Sequence, residues 1–194
     1  MAVAEQALAD HVIMEALAEN LSTADRRTRQ FSAAAIRSIS EKDAQALLPF
    51  IDQIVDALHR PEAQTRWECL ETLVNVATQD PAACADAIAG AESSLFDDSS
   101  GAARLAAVRF LCSYGSGDPK RANKIWSLLD EAIQCYHGDP EFQDMLVSII
   151  AFAEGNIGKE VAAALANRMA FDATNSNGTL KRRAIQIVEL CKQK

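Results

Sequence analysis

The chain has 194 residues, enough for one domain with a substantial core and too short for two comfortable ones; with 49% apolar residues, only 6% aromatic, 8 Gly and 5 Pro, it favours packed helices over sandwiched strands. A formal charge of -8 and a pI near 4.9 oppose attraction to phosphate backbones and anionic membrane surfaces. No run of about 18 apolar residues and no cationic leader followed by an apolar core occurs, so a soluble, intracellular, cytoplasmic protein is the expectation.

In chain order, AEQALADHVIMEALAENL predicts a first helix with Leu8, Val12 and Leu17 on one face. A repeat follows. Aligning DRRTRQFSAAAIRSI, EAQTRWECLETLVNV, SGAARLAAVRFLCSY, DPEFQDMLVSIIAFA and NGTLKRRAIQIVELC gives an anchor column of Arg29, Arg66, Arg104, Gln143 and Lys181, spaced by 37, 38, 39 and 38 residues. Four residues after the anchor stand Ala33, Leu70, Val108, Val147 and Ile185; seven after it stand Ile36, Leu73, Leu111, Ile150 and Val188, on the same helical face. Three after it the residues are small, Ser32, Cys69, Ala107 and Ala184, with Leu146 the exception.

Four before the anchor, Asp25, Ser100, Asp139 and Asn177 are strong N-cap residues, with Glu62 the exception in that column. Asp43, Asp80 and Asp118 then predict the start of a second helix in the first three repeats, the last two with Pro at the first helical position. The return helices read DAQALLPFIDQIVDALHR, DPAACADAIAGAESSLF, DPKRANKIWSLLDEAIQCYH and GKEVAAALANRMAFDA, the first with Leu47, Leu48, Ile51, Ile54, Val55 and Leu58 as its apolar stripe. Short connectors force neighbours antiparallel, giving about ten helices in up-and-down order. No linker marks an internal boundary. The last stretch, Lys181 to Lys194, sets five basic residues against Glu189, a charge of +4 that complements a helix C-terminus. The 5 Cys are odd in number and lack C-x-x-C spacing, which predicts buried reduced thiols.

One helix pair cannot bury its own stripe; stacked pairs can, and the expected object is a curved α-solenoid. LLPFIDQIVDALHRPEAQTRWECLETLVNVA resembles the HEAT repeat, with its Leu-rich first helix, Asp/Pro turn and apolar-Arg-x-x-Ala-x-x-x-Leu second helix. The resemblance implies an all-α, right-handed α-α superhelix, armadillo-like, of about ten antiparallel helices in five stacked pairs. It forms a single domain over 1–194, with 1–21 as a capping helix and repeats beginning near 22, 60, 98, 138 and 176. It also implies that Arg29, Arg66 and Arg104 pair with Asp43, Asp80 and Asp118 in a ladder between repeats. That ladder should weaken at the fourth repeat, where Gln143 lacks the charge and Asn156 stands near the turn.

Catalysis needs convergent reactive groups, and the 3 His (His11, His59, His137) stand in no metal-ligand spacing. No phosphate-binding loop, dinucleotide fingerprint or nucleophile elbow occurs, so no catalytic residue, metal or cofactor is assigned. HEAT-like folds also include DNA glycosylases that work through Trp, Asp and Arg, and Trp67, Arg66 and Arg109 suit that reading, but the net charge and the absence of a basic stripe oppose it. A bilin-lyase-like HEAT protein is a further alternative, with nothing to mark a bilin pocket. Trp126, on a return helix, should face the core.

The positive signal lies at offsets of one, two, five and nine after the anchor, which should point away from the stripe. In solenoids this chain resembles, the anchor-bearing helices line the concave side. These offsets hold Phe31, Trp67, Glu71, Asn75, Arg109, Met145, Phe152 and Arg183, an aromatic and Arg-bearing set suited to a binding hot spot. The expected function is a nonenzymatic scaffold or adaptor binding a protein or peptide there, without nucleic acid or membrane and with the oligomeric state open. The alternative is that Phe31, Trp67 and Phe152 fold down against adjacent repeats.

Overall fold

The computed structural model describes residues 2–194, which hold eleven α-helices and no strand. The helix expected at the start is two, α1 (Ala2–Ala9) and α2 (His11–Asn20), because Asp10 leaves the helical conformation and accepts a bond from Val12 N at 3.0 Å. That break defeats the single apolar face: Leu17 is buried, but Leu8 is exposed and Val12 is 70% exposed. In its place Ala4 and Ala7, then Met14, Leu17, Ala18 and Leu21, enter the core.

Helix α3 (Arg26–Ser40) starts where Asp25 accepts from Thr28 N at 2.7 Å. The return segment after it is not one helix. Asp43 accepts from Gln45 N and Ala46 N, a 3₁₀ segment runs Gln45–Phe50, α4 covers only Ile51–Asp56, and a second 3₁₀ turn covers Ala57–His59. Pro49 lies inside the first 3₁₀ segment and has no N–H to give, which denies this stretch a regular α-helical ladder. Its apolar side still turns inward through Leu47, Phe50, Ile54, Ala57 and Leu58, while Leu48, Ile51 and Val55 are half-buried.

Helix α5 (Ala63–Ala77) leads to Asp80, whose side chain accepts from Ala83 N, then a 3₁₀ segment Ala82–Ala87 and α6 (Ile88–Leu95). Gly90 is needed here, since a Cβ would lie 2.6 Å from Leu58 Cβ. Ser100 caps α7 (Gly101–Gly115) through Ala103 N, and Asp118 with Pro119 opens α8 (Pro119–Cys135) by accepting from Lys120 N and Arg121 N. Asp139 is not the start of the next helix. Its carbonyl accepts from Phe142 N, and α9 (Phe142–Glu154) begins with Glu141 in the cap position. Helices α10 (Gly158–Asn175) and α11 (Gly178–Cys191) complete the set, and Asn177 holds the cap position of α11 without a side-chain cap bond.

The chain forms two compact units, one up to Phe110 and one from Leu111. In the first, α3 packs on α5; in the second, α8 packs on α10 and α9 on α11. Packing of each helix on its counterpart one repeat later is what makes stacked pairs share one core. The small-residue column is fully buried at Ser32, Cys69, Ala107 and Ala184, and Leu146 is buried too. The columns four and seven after the anchor are buried at Ala33, Ile36, Leu70, Leu73, Val108 and Leu111 but not beyond. Val147 is 49% and Ile185 36% exposed, and Ile150 and Val188 are half-buried. In α9 the buried stripe runs through Phe142, Met145, Leu146, Ile149, Phe152 and Ala153, a face rotated away from Val147.

Candidate interaction face

The anchor arginines fasten the repeat, with partners other than those expected. Arg29 donates from Nη1 to the carbonyls of Thr23 and Ala24 and from Nη2 to Glu62; Arg66 donates to the carbonyls of Arg60 and Pro61 and to Asp97. Arg104 reaches the Asp97 carbonyl at 3.0 Å. Each guanidinium thus closes the loop before its own helix, and Arg29 and Arg66 also hold an acidic residue at the entry to the next repeat. Asp43, Asp80 and Asp118 are not in this ladder, because their carboxylates are engaged in capping the helical turns that follow them. Asp97 also accepts from Ser99, and those bonds, together with the nearby Arg66 and Arg104 charges, hold its carboxyl below the ordinary value of 3.8.

A second set of links crosses the outward side of α3, α5 and the first part of α7. Arg37 of α3 donates to Glu68 of α5 at 3.2 Å, Arg109 of α7 donates to Glu71 of α5 at 2.6 Å, and Asn75 of α5 donates to Ser40 of α3 at 2.9 Å. Trp67 stands one turn before Glu71 and is half-buried, as are Glu71, Asn75 and Arg109. Four of the eight sequence-selected residues therefore meet on one face, and the carboxylates of α5 hold the guanidinium groups of its two neighbours in place.

The other four divide. Phe31 is 58% exposed on α3. Arg183 is half-buried in α11 and donates to the backbone and side-chain oxygens of Gln143, so it fastens α11 to α9. Met145 and Phe152 are corrections: both are buried core residues, at 1% and 0% exposure. Phe152 packs where Gly115 leaves room, its ring 2.9 Å from where a Cβ would stand. Offset two fails as a surface position because it turns toward the preceding repeat, as Glu68 does in bonding Arg37, and offset nine is captured in α9 by the rotated stripe. Trp126 is half-buried.

Sequence reading missed the links that have no column of their own. Arg168 of α10 binds Asp130 of α8 through two bonds of 2.6 and 2.9 Å, and His137 lies 3.0 Å from Asp172, which also accepts from Ser176. The separation in sequence was the available signal. The cross-repeat side-chain links named here span 31 to 40 residues, about one repeat. The Ser176, Asp172 and His137 group places the carboxylate between hydroxyl and imidazole, so the His has no bond to the hydroxyl through which to activate it.

No group of three or more metal-ligating side chains occurs among the described residues, and no helix there is long and apolar enough to cross a membrane. Four thiols are buried, and burial pushes those of Cys69 and Cys84 up to about 12, Asp80 adding to the effect at Cys84. Cys135, at the end of α8, is exposed, contrary to the expectation for all five.

No family profile and no curated protein sequence matches the chain. Solved structures do. A designed armadillo repeat protein in complex with the peptide (KR)4 is similar at a TM-score of 0.78 and 17% identity, over 96% of this chain and 84% of that one. An engineered protein is similar at 0.75 and 17%, over 97% and 83%. The archaeal HEAT-like repeats protein from Thermococcus onnurineus NA1 is similar at 0.60 and 12%, over 98% and 91%. At these identities the likeness is one of fold, and the chain is an all-α solenoid with the fold of armadillo and HEAT-like repeat proteins.

Proposed function

We propose that this repeat scaffold is nonenzymatic and binds a protein or peptide along the face of α3, α5 and α7, with Trp67, Arg109, Glu71 and Asn75 as its centre. The observation that carries the reading is the cross-helix fastening of that face: Arg37 and Arg109 are each bonded to a carboxylate of α5, Glu68 and Glu71, and the half-buried Trp67 stands beside the first in sequence and one turn before the second. Arg and Trp are the residues that dominate binding energy at interfaces, and ordering them before contact lowers the entropic cost of association. The bonding of both arginines to carboxylates also opposes a phosphate-binding role, which would need them free. The peptide carried by one of the designed armadillo neighbours is consistent with this use of the fold.

Capture of partners from native cytosol with the Trp67→Ala/Arg109→Ala chain should lose the partner retained by the wild type; the far-UV helix signal should remain, with a lower melting temperature because the Arg109–Glu71 link and part of the Trp67 packing are gone. Equal capture by both would remove the assignment. Retention of duplex DNA at near-physiological salt, lost on Arg66→Ala or Trp67→Ala, would favour the glycosylase reading in its place.

A further inference from the structure

Two helix pairs carry exposed apolar residues, α1 with α2 and α10 with α11. On the second, Ile185 and Val188 belong to the columns that are core in the first three repeats, yet here they line a groove of about 400 Å³ with Ala166, Ala170 and Ala173, and Glu189 and Lys192 stand at its edge. An adjoining notch is rimmed by Lys159, Lys192 and Lys194. No described element of the chain covers this groove. On the first, Leu8 and Val12 are exposed beside Asp10, and the acidic residues Glu5, Glu15 and Glu19 are exposed around them. No Lys or Arg occurs before Arg26. Phe31 of α3, at the offset that meets the preceding repeat at Glu68, is exposed as well.

We infer that the α10–α11 groove of one copy receives α1 and α2 of a second copy of this chain. The argument joins two independent features. Two of the groove's lining residues, Ile185 and Val188, stand in columns whose members in the first three repeats are buried under further helices, so the shape it accepts is another helix pair. Groove and notch together carry Lys159, Lys192 and Lys194 against the single carboxylate of Glu189, a net positive charge, and the helix pair α1 and α2 is acidic, so the two faces attract where like faces would repel. A contact between unlike faces leaves a free groove on one copy and a free helix pair on the other, so association continues past the dimer or closes into a ring.

The test uses the full chain in sedimentation velocity over a concentration series. The wild type should gain mass beyond a dimer as concentration rises, and less so in high salt, which screens the charged rims. Val12→Lys and Ile185→Glu change exposed side chains and should each give a folded monomer by far-UV circular dichroism. Mixed together they should form a one-to-one dimer and nothing larger, since each supplies the face the other lacks. A wild type that stays monomeric, a single variant that still self-associates, or a mixture without dimer would each overturn the inference.

Discussion

Up to Phe110 the anchor column is arginine, and Arg29 and Arg66 each close two carbonyls and a carboxylate. From Leu111 onward Gln143 and Lys181 occupy the column, and fastening passes to Arg168 on Asp130, His137 on Asp172 and Arg183 on Gln143. The two regions show that a helical repeat must satisfy the loop carbonyls and acidic groups at its seams, but that the residue doing so is free to move. What persists is the reach of about one repeat, because each helix pair touches only the next.

The largest expected effect breaks the arginine seam. Removing Arg29 leaves the Glu62 carboxylate, with 5% of its side chain exposed, buried without its cation. Arg29→Ala should therefore cost about 3 to 5 kcal/mol. The same column in the second region should tolerate the change: Lys181 makes one bond, to the Thr174 carbonyl, and Lys181→Ala should cost about 1 kcal/mol or less. Urea unfolding of both variants measures the contrast, and equal losses would show that the column has one role throughout.

Next comes backbone contact in the second region. Gly155 lies so close to Ser116 that a Cβ would clash with its carbonyl oxygen, whereas nothing lies within 4 Å of a Cβ at Gly138. Gly155→Ala should cost about 1 to 3 kcal/mol, and Gly138→Ala about 0.5 kcal/mol or less. Thermal melts of the pair distinguish a close seam from an open turn.

The smallest effect is the acid response of the first region. Asp97 has its folded pKa held below 3.8, so its contribution is present above that value and is lost as pH falls through the folded pKa. Asp97→Asn should lower the melting temperature at pH 7 and make less difference at pH 3. A gap that widens in acid would reverse the sign and remove Asp97 from the seam.

The repeat was legible because its apolar spacing and caps are local: Asp25, Ser100 and Asp118 cap where the sequence places them. Other features depended on what lies across the seam. In α9 Phe152 is buried where Gly115 leaves room for its ring while Val147 is exposed, and no column records that shift. The arginine ladder was half legible, with donors in register and acceptors misassigned, because the turn aspartates were already spent as caps. On the site, Trp67, Glu71, Asn75 and Arg109 share a face because they follow the helical period within α5 and the repeat period between helices. Their fastening to one another emerges only when the helices are packed.

The most direct test of the binding face is an equilibrium titration. Peptides selected from a random display library on the full chain should bind the wild type, and the best of them should lose about 100-fold in affinity or more to Trp67→Ala/Arg109→Ala. Substituting Gln53 and Asp52, exposed on α4, should leave that affinity unchanged. Equal affinity for wild type and double variant, or a loss produced equally by the α4 substitutions, would contradict the account.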